Sequence, residues 1–348
     1  MKIGIIGLPL SGKSTVFNAL TGLSAEVKEF SSAGKIKPNL GVVKIPDVRL
    51  EKLAKAFSAK KTTPATIDFV DMAGISKDAK AEDMDLTPLR DTDALLCVVR
   101  FFENPSVPHP YNSVDGVRDF KMIDTEIILI DLNIIETRIQ RIEAELKRGK
   151  KENEKELIIL KKCQEALLKE KPLRDISFDA NEEAALRGFQ FLSKKPLLAV
   201  ANIDESHIKS PPAGFISFCA KLEAEIAQLD DEELKNSFMQ ELGIKETARD
   251  KFILACFSML NLIVFYTATG PQEARAWLIE KGATAYDAAG KVHSDIQRGF
   301  IRAEVANFKA LEECGFDMNK AKSKAMLKLE GKDYIVADGD DIYFRFSV

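Results

Sequence analysis

The 348-residue chain is long enough for two or three domains, each with its own packed core. With 45% apolar residues, 30% charged residues and a formal net charge of −4, it is no globally basic nucleic-acid binder, so any such surface must be a local patch. Five scattered cysteines (Cys97, Cys163, Cys219, Cys256, Cys314) lack paired metal spacing and read as reduced thiols. With neither a signal sequence nor an apolar run of about eighteen residues, a cytoplasmic protein without a membrane span is expected.

In chain order, Ile3–Ile6 predicts a buried strand and Thr15–Leu20 the first turns of a helix. The intervening residues Gly7-Leu8-Pro9-Leu10-Ser11-Gly12-Lys13-Ser14-Thr15 fit a phosphate-binding loop. In such a loop the backbone N–H groups from Gly7 through Leu10, Ser11, Gly12 and Thr15 cradle phosphate oxygens. Lys13 reaches the β- and γ-phosphates, and the Ser14 hydroxyl holds magnesium. The competing reading, a chance glycine-rich loop, does not account for the strand and helix on either side.

Polar residues lead to a predicted strand Leu40–Ile45, an amphipathic helix Arg49–Phe57 and a strand Thr66–Val70. That strand ends in Asp71-Met72-Ala73-Gly74. Alone, Asp-x-x-Gly is a plain turn. At a strand tip about sixty residues after a phosphate loop, Asp71 is a magnesium-holding carboxylate and the Gly74 N–H a sensor of the γ-phosphate. A strand Ala94–Arg100 follows, then a proline-broken loop Asn104–Pro110 in which His109 reads as an exposed residue.

From Asp119 to Leu173, isoleucines and leucines recur at three- and four-residue steps on either side of a polar turn near Gly149–Asn153, predicting an antiparallel helical hairpin. Between Arg138 and Arg174 there are twelve Lys and Arg against seven Glu. This is either a solvated surface or a contact for an anionic partner. Strand patterns resume at Pro196–Ala201 and Gly214–Phe218, so the hairpin interrupts one doubly wound α/β domain. Helices Asp230–Glu241 and Asp250–Met259 lead to a last α+β region. Its expected strands are Leu262–Tyr266, Ala274–Ile279 and Ile301–Phe308, with two short strands about the turn Asp338-Gly339-Asp340.

These residues resemble the Obg-like ATPase, or YchF, family of P-loop NTPases, end to end. The anchors are residues 7–15, Pro38-Asn39-x-Gly41-Val42-Val43, Asp71-x-Ala73-Gly74 and Asn202-x-x-Glu205, with Phe238-Met239-Gln240-Glu241-Leu242-Gly243 and Arg275-Ala276-Trp277. The most specific are His293-x-Asp295-x-x-x-Gly299-Phe300-Ile301-Arg302-Ala303-Glu304 and Gly331-Lys332-Asp333-Tyr334-Ile335-Val336. The resemblance implies a P-loop nucleotide-binding domain over residues 1–118 and 192–261, a helical coiled-coil insertion over 119–191, and a ubiquitin-like TGS domain over 262–348. It also implies slow hydrolysis of ATP, accepted as well as or better than GTP, with Mg2+ as cofactor. The implied partner is the ribosome or its RNA, facing the basic hairpin and the TGS domain; neither DNA nor a membrane is expected.

GTPases of this fold usually carry Asn-Lys-x-Asp, whose aspartate accepts two hydrogen bonds from guanine. Here Ile203 and Glu205 stand at the lysine and aspartate positions, so the guanine fork is displaced, Asn202 stays available to the base edge and Ile203 packs on its face. Cys219-Ala220 matches the segment whose backbone faces the base. Ile75 replaces the water-orienting glutamine of many GTPases, and the resemblance implies that His109 helps catalysis instead.

Two departures bear on turnover. Lys35 stands where the family has a magnesium-shell threonine, with Ser31 and Ser32 nearby, and Ser76–Leu86 lacks the glycines of the family's second switch. A slow ATPase and a nucleotide-responsive binding module with vestigial hydrolysis are therefore both open, and phosphate release by Lys13→Ala separates them. Trp277 and Phe300 read as core residues of the last module rather than base-stacking platforms.

Overall fold

A computed structural model describes residues 1–22, 38–72, 86–148, 153–208, 210–227, 229, 231–241, 247–268 and 270–347. The elements alternate as the apolar runs predict: β1 Lys2–Ile6, α1 Lys13–Thr21, β2 Asn39–Lys44, α2 Val48–Ala56, β3 Lys61–Thr63, β4 Thr66–Asp71, α3 Thr87–Arg90 and β5 Ala94–Arg100. The hairpin is α4 Gly116–Lys147 and α5 Glu154–Leu168, followed by α6 Ala180–Leu186. Next come β6 Leu197–Asn202, β7 Ile216–Phe218, α7 Ala220–Ala227, α8 Glu232–Glu241 and α9 Ala248–Met259. The chain closes with β8 Leu262–Thr267, β9 Glu273–Glu280, α10 Ala285–Val292, α11 Ser294–Arg298, β10 Phe300–Asn307, α12 Phe308–Glu313, α13 Met318–Ser323, β11 Lys328–Glu330 and β12 Asp340–Phe346.

The first sheet has the order β2-β4-β1-β5-β6-β7. β1 pairs in parallel with β4 on one side and β5 on the other, and β5–β6 and β6–β7 are parallel too. Every residue of β5 is buried, as its unbroken apolar run requires of a strand covered on both faces. Successive connections from β1 thus leave in opposite directions, and the crevice beyond its C-terminal end is where a doubly wound sheet takes a ligand.

Helix α4 belongs to two cores. Ile123, Ile127 and Ile130 pack with Ile6, Leu95, Cys97 and Val99 of the sheet. Further along, Ile135, Ile139 and Ile142 pack with Leu160, Cys163 and Leu167 of α5. Its 32 residues make a rod of about 48 Å, at ~1.5 Å per residue, running from the sheet to the hairpin tip.

The chain forms two compact units, residues 2–41 with 68–252, and residue 1 with 42–67 and 253–348. This division differs from the three domains expected from sequence. In the second unit the sheet order is β11-β10-β12-β8-β9-β3, and β3 joins through a parallel pairing of Lys61–Thr63 with Glu273–Arg275. Arg49 of α2 bonds Asp47 and Asp338, and the Tyr266 hydroxyl donates to Asp47, tying α2 to the same sheet. Phe265, Ala303, Val305, Ile342 and Phe344 fill its core, with Phe300 buried and Trp277 partly buried among them, as expected. The terminal hairpin is not as predicted. After the turn β12 is a full strand pairing with β10, but before it only Ile335 forms a bridge, to Thr284. Residues 331–337 instead cover α10, with Ala285 and Tyr286 N–H groups donating to the carbonyls of Tyr334 and Lys332.

Candidate active site

The loop after β1 turns through two glycines that no other residue could replace. A Cβ on Gly7 would lie 2.4 Å from the Val98 carbonyl oxygen, and one on Gly12, whose φ is 86°, would lie 2.1 Å from Asn202 Nδ2. Leu10 also takes a positive φ of 61°. Gly12 caps α1 without a side-chain acceptor, so the first-turn N–H groups of Lys13, Ser14 and Thr15 keep the orphan donors of a helix N-terminus, which favour anions. Val16, Phe17, Ala19 and Leu20 anchor the helix beneath.

Lys13 is 7% exposed, and its Nζ donates to the Leu8 carbonyl at 2.8 Å. Burial lowers its pKa to about 8, against the opposing pull of Asp71 and Cys97. Asp71 sits at the tip of β4, level with Ile5 of β1. Burial raises its pKa, opposed by bonds from Ser14 and Asn39 and by the Lys13 charge. Its Oδ2 accepts from Ser14 Oγ at 2.9 Å and from Asn39 Nδ2 at 3.3 Å. Its Oδ1 is buried with no hydrogen-bond partner among the described residues, as is Ser11 Oγ. An orphaned carboxylate oxygen beside a serine hydroxyl is a hard-oxygen set suited to magnesium, so the residues fit that ion. The Pro38-Asn39 anchor does not itself point to Asp71; Asn39 reaches that carboxylate because β2 and β4 are neighbouring strands.

Asn202, 5% exposed, donates from Nδ2 to the Ser11 carbonyl at 3.1 Å and accepts the Ala220 N–H at 3.3 Å. Its amide staples the phosphate loop to the start of α7. Ile203 is buried in a cluster with Ala201, Cys219, Leu222 and Ile226. Cys219 is buried and its carbonyl accepts the Glu223 N–H at 3.0 Å. Glu205 has a half-exposed side chain 3.6 Å from Lys221. Gly74, Lys35, Ser31, Ser32, Ile75 and residues 76–85 lie outside the described residues.

The His109 side chain is enclosed, not exposed. Its side chain is 5% accessible, and Nε2 lies 2.9 Å from Asp119 Oδ2. Its Nδ1 accepts the Tyr111 N–H at 3.1 Å. Arg100, at the tip of β5, shapes this loop by donating to the carbonyls of Phe102, Val107 and Asn104 while its guanidinium stacks on the Phe102 ring. His109, Asp119 and Arg100 line the same small recess as Leu8, Pro9 and Ser11 of the phosphate loop. No sequence motif marks Asp119 or Arg100; both are brought here by the turn from β5 into α4.

The hairpin's cations are largely paired: Arg138 with Glu156, Arg141 with Glu145, Lys161 with Glu143, Lys162 with Glu182, Lys169 with Glu165 and Arg174 with Asp124. Among the described residues, Lys147, Arg148 and Lys155 near the tip have no carboxylate within ion-pair distance. No helix among the described residues is long and apolar enough to cross a membrane.

A family model described as a 50S ribosome-binding GTPase matches residues 2–162, and the C-terminal model of YchF GTPases, described as a protein of unknown function, matches residues 262–347. The "Ribosome-binding ATPase YchF" of Bacillus subtilis is 41% identical over 368 residues, covering 100% of both chains. That of Escherichia coli O157:H7 is 41% identical over 364 residues, covering 100% of this chain and 99% of its own. Among solved structures, the Schizosaccharomyces pombe YchF GTPase superposes with a TM-score of 0.82 at 26% identity, over 99% of this chain and 97% of that one. A GTP-binding protein of Pyrococcus horikoshii shares the fold, with a TM-score of 0.61 at 20% identity over 100% of both chains. With a phosphate loop and an acidic strand tip converging at the sheet's switch point, and with full-length identity above 40%, this chain belongs to the YchF family of P-loop nucleoside triphosphatases.

Proposed function

We propose that the protein is a slow, magnesium-dependent ATPase whose nucleotide state governs association with the ribosome. The observation that carries this reading is the convergence of Lys13, Ser14 and Asp71 beyond β1, with Ser14 Oγ 2.9 Å from the Asp71 carboxylate. Lys13 and the first-turn N–H groups of α1 stabilise negative charge on the transferring phosphoryl group. Ser14 and Asp71 would hold the ion, with Asn39 steadying the carboxylate from the side. Magnesium held there would neutralise charge on the phosphates. Gly74 senses the γ-phosphate, and His109 activates the attacking water once it leaves its buried site.

Glu205, in place of the guanine-reading aspartate, supports ATP over GTP, as do the relatives named ATPases. Their names also support the ribosome as partner, with the hairpin tip and the C-terminal domain facing it. The expected boundaries, a nucleotide domain over 1–118 and 192–261, an insertion over 119–191 and a TGS domain over 262–348, belong to this reading.

The test is phosphate release from ATP with and without magnesium, in the wild type and Lys13→Ala. Release that needs the ion and vanishes in the variant is expected; release indifferent to either refutes the proposal. Titrations that find GTP bound tenfold more tightly than ATP would overturn the base preference alone.

One observation favours the second reading, a nucleotide-responsive module with vestigial hydrolysis: both ring nitrogens of His109 are engaged within the protein. Tight ATP binding without phosphate release above a blank would establish it.

A further inference from the structure

A general base must present a nitrogen with a free lone pair to the water it deprotonates. His109 presents none. A backbone N–H is always a donor, so the bond from Tyr111 N occupies the Nδ1 lone pair and excludes a proton there. The ring proton is therefore on Nε2, where it donates to Asp119 Oδ2 at 2.9 Å. Both side chains are almost fully buried, at 5% and 2% exposure, so solvent does not reach the pair. Yet the recess that holds them is shared with Leu8, Pro9 and Ser11 of the phosphate loop. The imidazole is stored beside the reaction site in a form that cannot act.

We propose that Asp119 is a positioning residue that latches His109 in this inactive form, and that helix α4 is the lever that opens the latch. The latch is built to open. Asp119 Oδ1 is held separately by Arg118 Nε and Nη2, at 3.0 and 2.8 Å, so releasing the histidine does not strand the carboxylate. Arg118 also grips the Ser113 hydroxyl and carbonyl, tying the end of the histidine loop to the first turn of α4. That first turn is continuous with the hairpin, because one uninterrupted helix runs from Gly116 to Lys147. A partner that tilts the hairpin moves Asp119 away from His109; the ring, no longer held from Nε2, keeps its proton there, turns off the Tyr111 N–H, and presents the freed Nδ1 lone pair to water. The arrangement differs from a catalytic dyad, in which the carboxylate orients an imidazole whose other nitrogen faces the substrate. The inference rests on the ATPase reading, but its geometric half does not.

The test uses the full chain, whose three histidines make imidazole nitrogen signals simple to assign. In the wild type, long-range proton–nitrogen spectra are expected to show His109 as a single Nε2–H tautomer. In Asp119→Ala the tautomers should interconvert, with Asp119→Asn, which keeps an acceptor, intermediate. Phosphate release should rise at least about tenfold in Asp119→Ala, within the ~10²–10⁴-fold range of a positioned acid–base group. The rise should vanish in the double variant His109→Ala/Asp119→Ala, with ATP affinity by calorimetry unchanged throughout. Ribosomes should stimulate the wild type and add little to Asp119→Ala.

A mixture of His109 tautomers in the wild type would overturn the latch. So would release from folded Asp119→Ala and Asp119→Asn no faster than wild type at equal ATP affinity. Equal ribosomal stimulation of wild type and Asp119→Ala, or stimulation of neither, would overturn the lever. If no protein releases phosphate in a Lys13-dependent way, the ATPase reading fails, and the imidazole spectra alone decide the latch.

Discussion

Lys13 should destabilise the free protein it serves, and Lys13→Met isolates that cost. The buried ammonium falls from its ordinary 10.5 to about 8, a net that already counts the attraction of Asp71. At ~1.4 kcal/mol per pH unit this corresponds to about 3 kcal/mol against folding with the lysine charged. Methionine fills similar space without charge, and loses one hydrogen bond to the Leu8 carbonyl, worth about 1 kcal/mol. The net gain near pH 7 is about 2 kcal/mol, or roughly 4–8 °C in the melting of the unit that carries it.

The cost depends on pH. Because the folded pKa lies below the unfolded one, the unfolded chain binds more protons between about pH 8 and 10.5, and wild-type stability rises with pH across that interval. The advantage of Lys13→Met is therefore full below pH 8 and shrinks toward pH 10.5. Thermal melts without nucleotide at pH 7, 8.5 and 10 read this directly, while calorimetry should show ATP affinity collapsing in the variant. A variant less stable than wild type at pH 7, or a gap unchanged at pH 10, refutes the reasoning.

Asp131, fully buried, accepts the N–H groups of Leu192 and Ser193 at 3.1 and 2.6 Å. Asp131→Ala orphans both donors and should cost about 3 kcal/mol in urea melts; a loss below about 1 kcal/mol would contradict that account. Asn202→Ala cuts the staple between Ser11 and Ala220 and should weaken ATP binding about tenfold, at ~1.4 kcal/mol, an effect absent if the amide plays no part in holding the loop. Gly12→Ala, with its Cβ 2.1 Å from Asn202 Nδ2, should abolish nucleotide binding by calorimetry while the C-terminal unit melts normally. Reversing Lys147, Arg148 and Lys155 to Glu should reduce cosedimentation with ribosomes and flatten its salt dependence; unchanged binding and slope would remove the hairpin tip from the interface.

Much of this protein is legible locally. The phosphate loop, the Asp71 strand tip and the strand–helix alternation are set by neighbours a few residues apart, through glycine freedom, apolar runs and periodicity. Chain pairing across long separations is not. β3 is a polar Lys-Thr-Thr stretch with no strand signature; it is a strand because Glu273–Arg275 offers a parallel edge more than two hundred residues away. The terminal strand pair failed for the converse reason: residues 331–337 resemble a strand, but the Lys332 and Tyr334 carbonyls are taken by α10.

The sequence by itself determined that a phosphate-binding loop follows the first strand, because that chemistry is written in contiguous backbone. Only the tertiary structure decided what the residues around it do when nothing pulls on them. Asn202 turns inward to hold the loop, and the His109 side chain is enclosed against a carboxylate at the root of a long helix. Hydrogen-bond partners are chosen by what folding brings within about three ångströms, and sequence order does not report that distance.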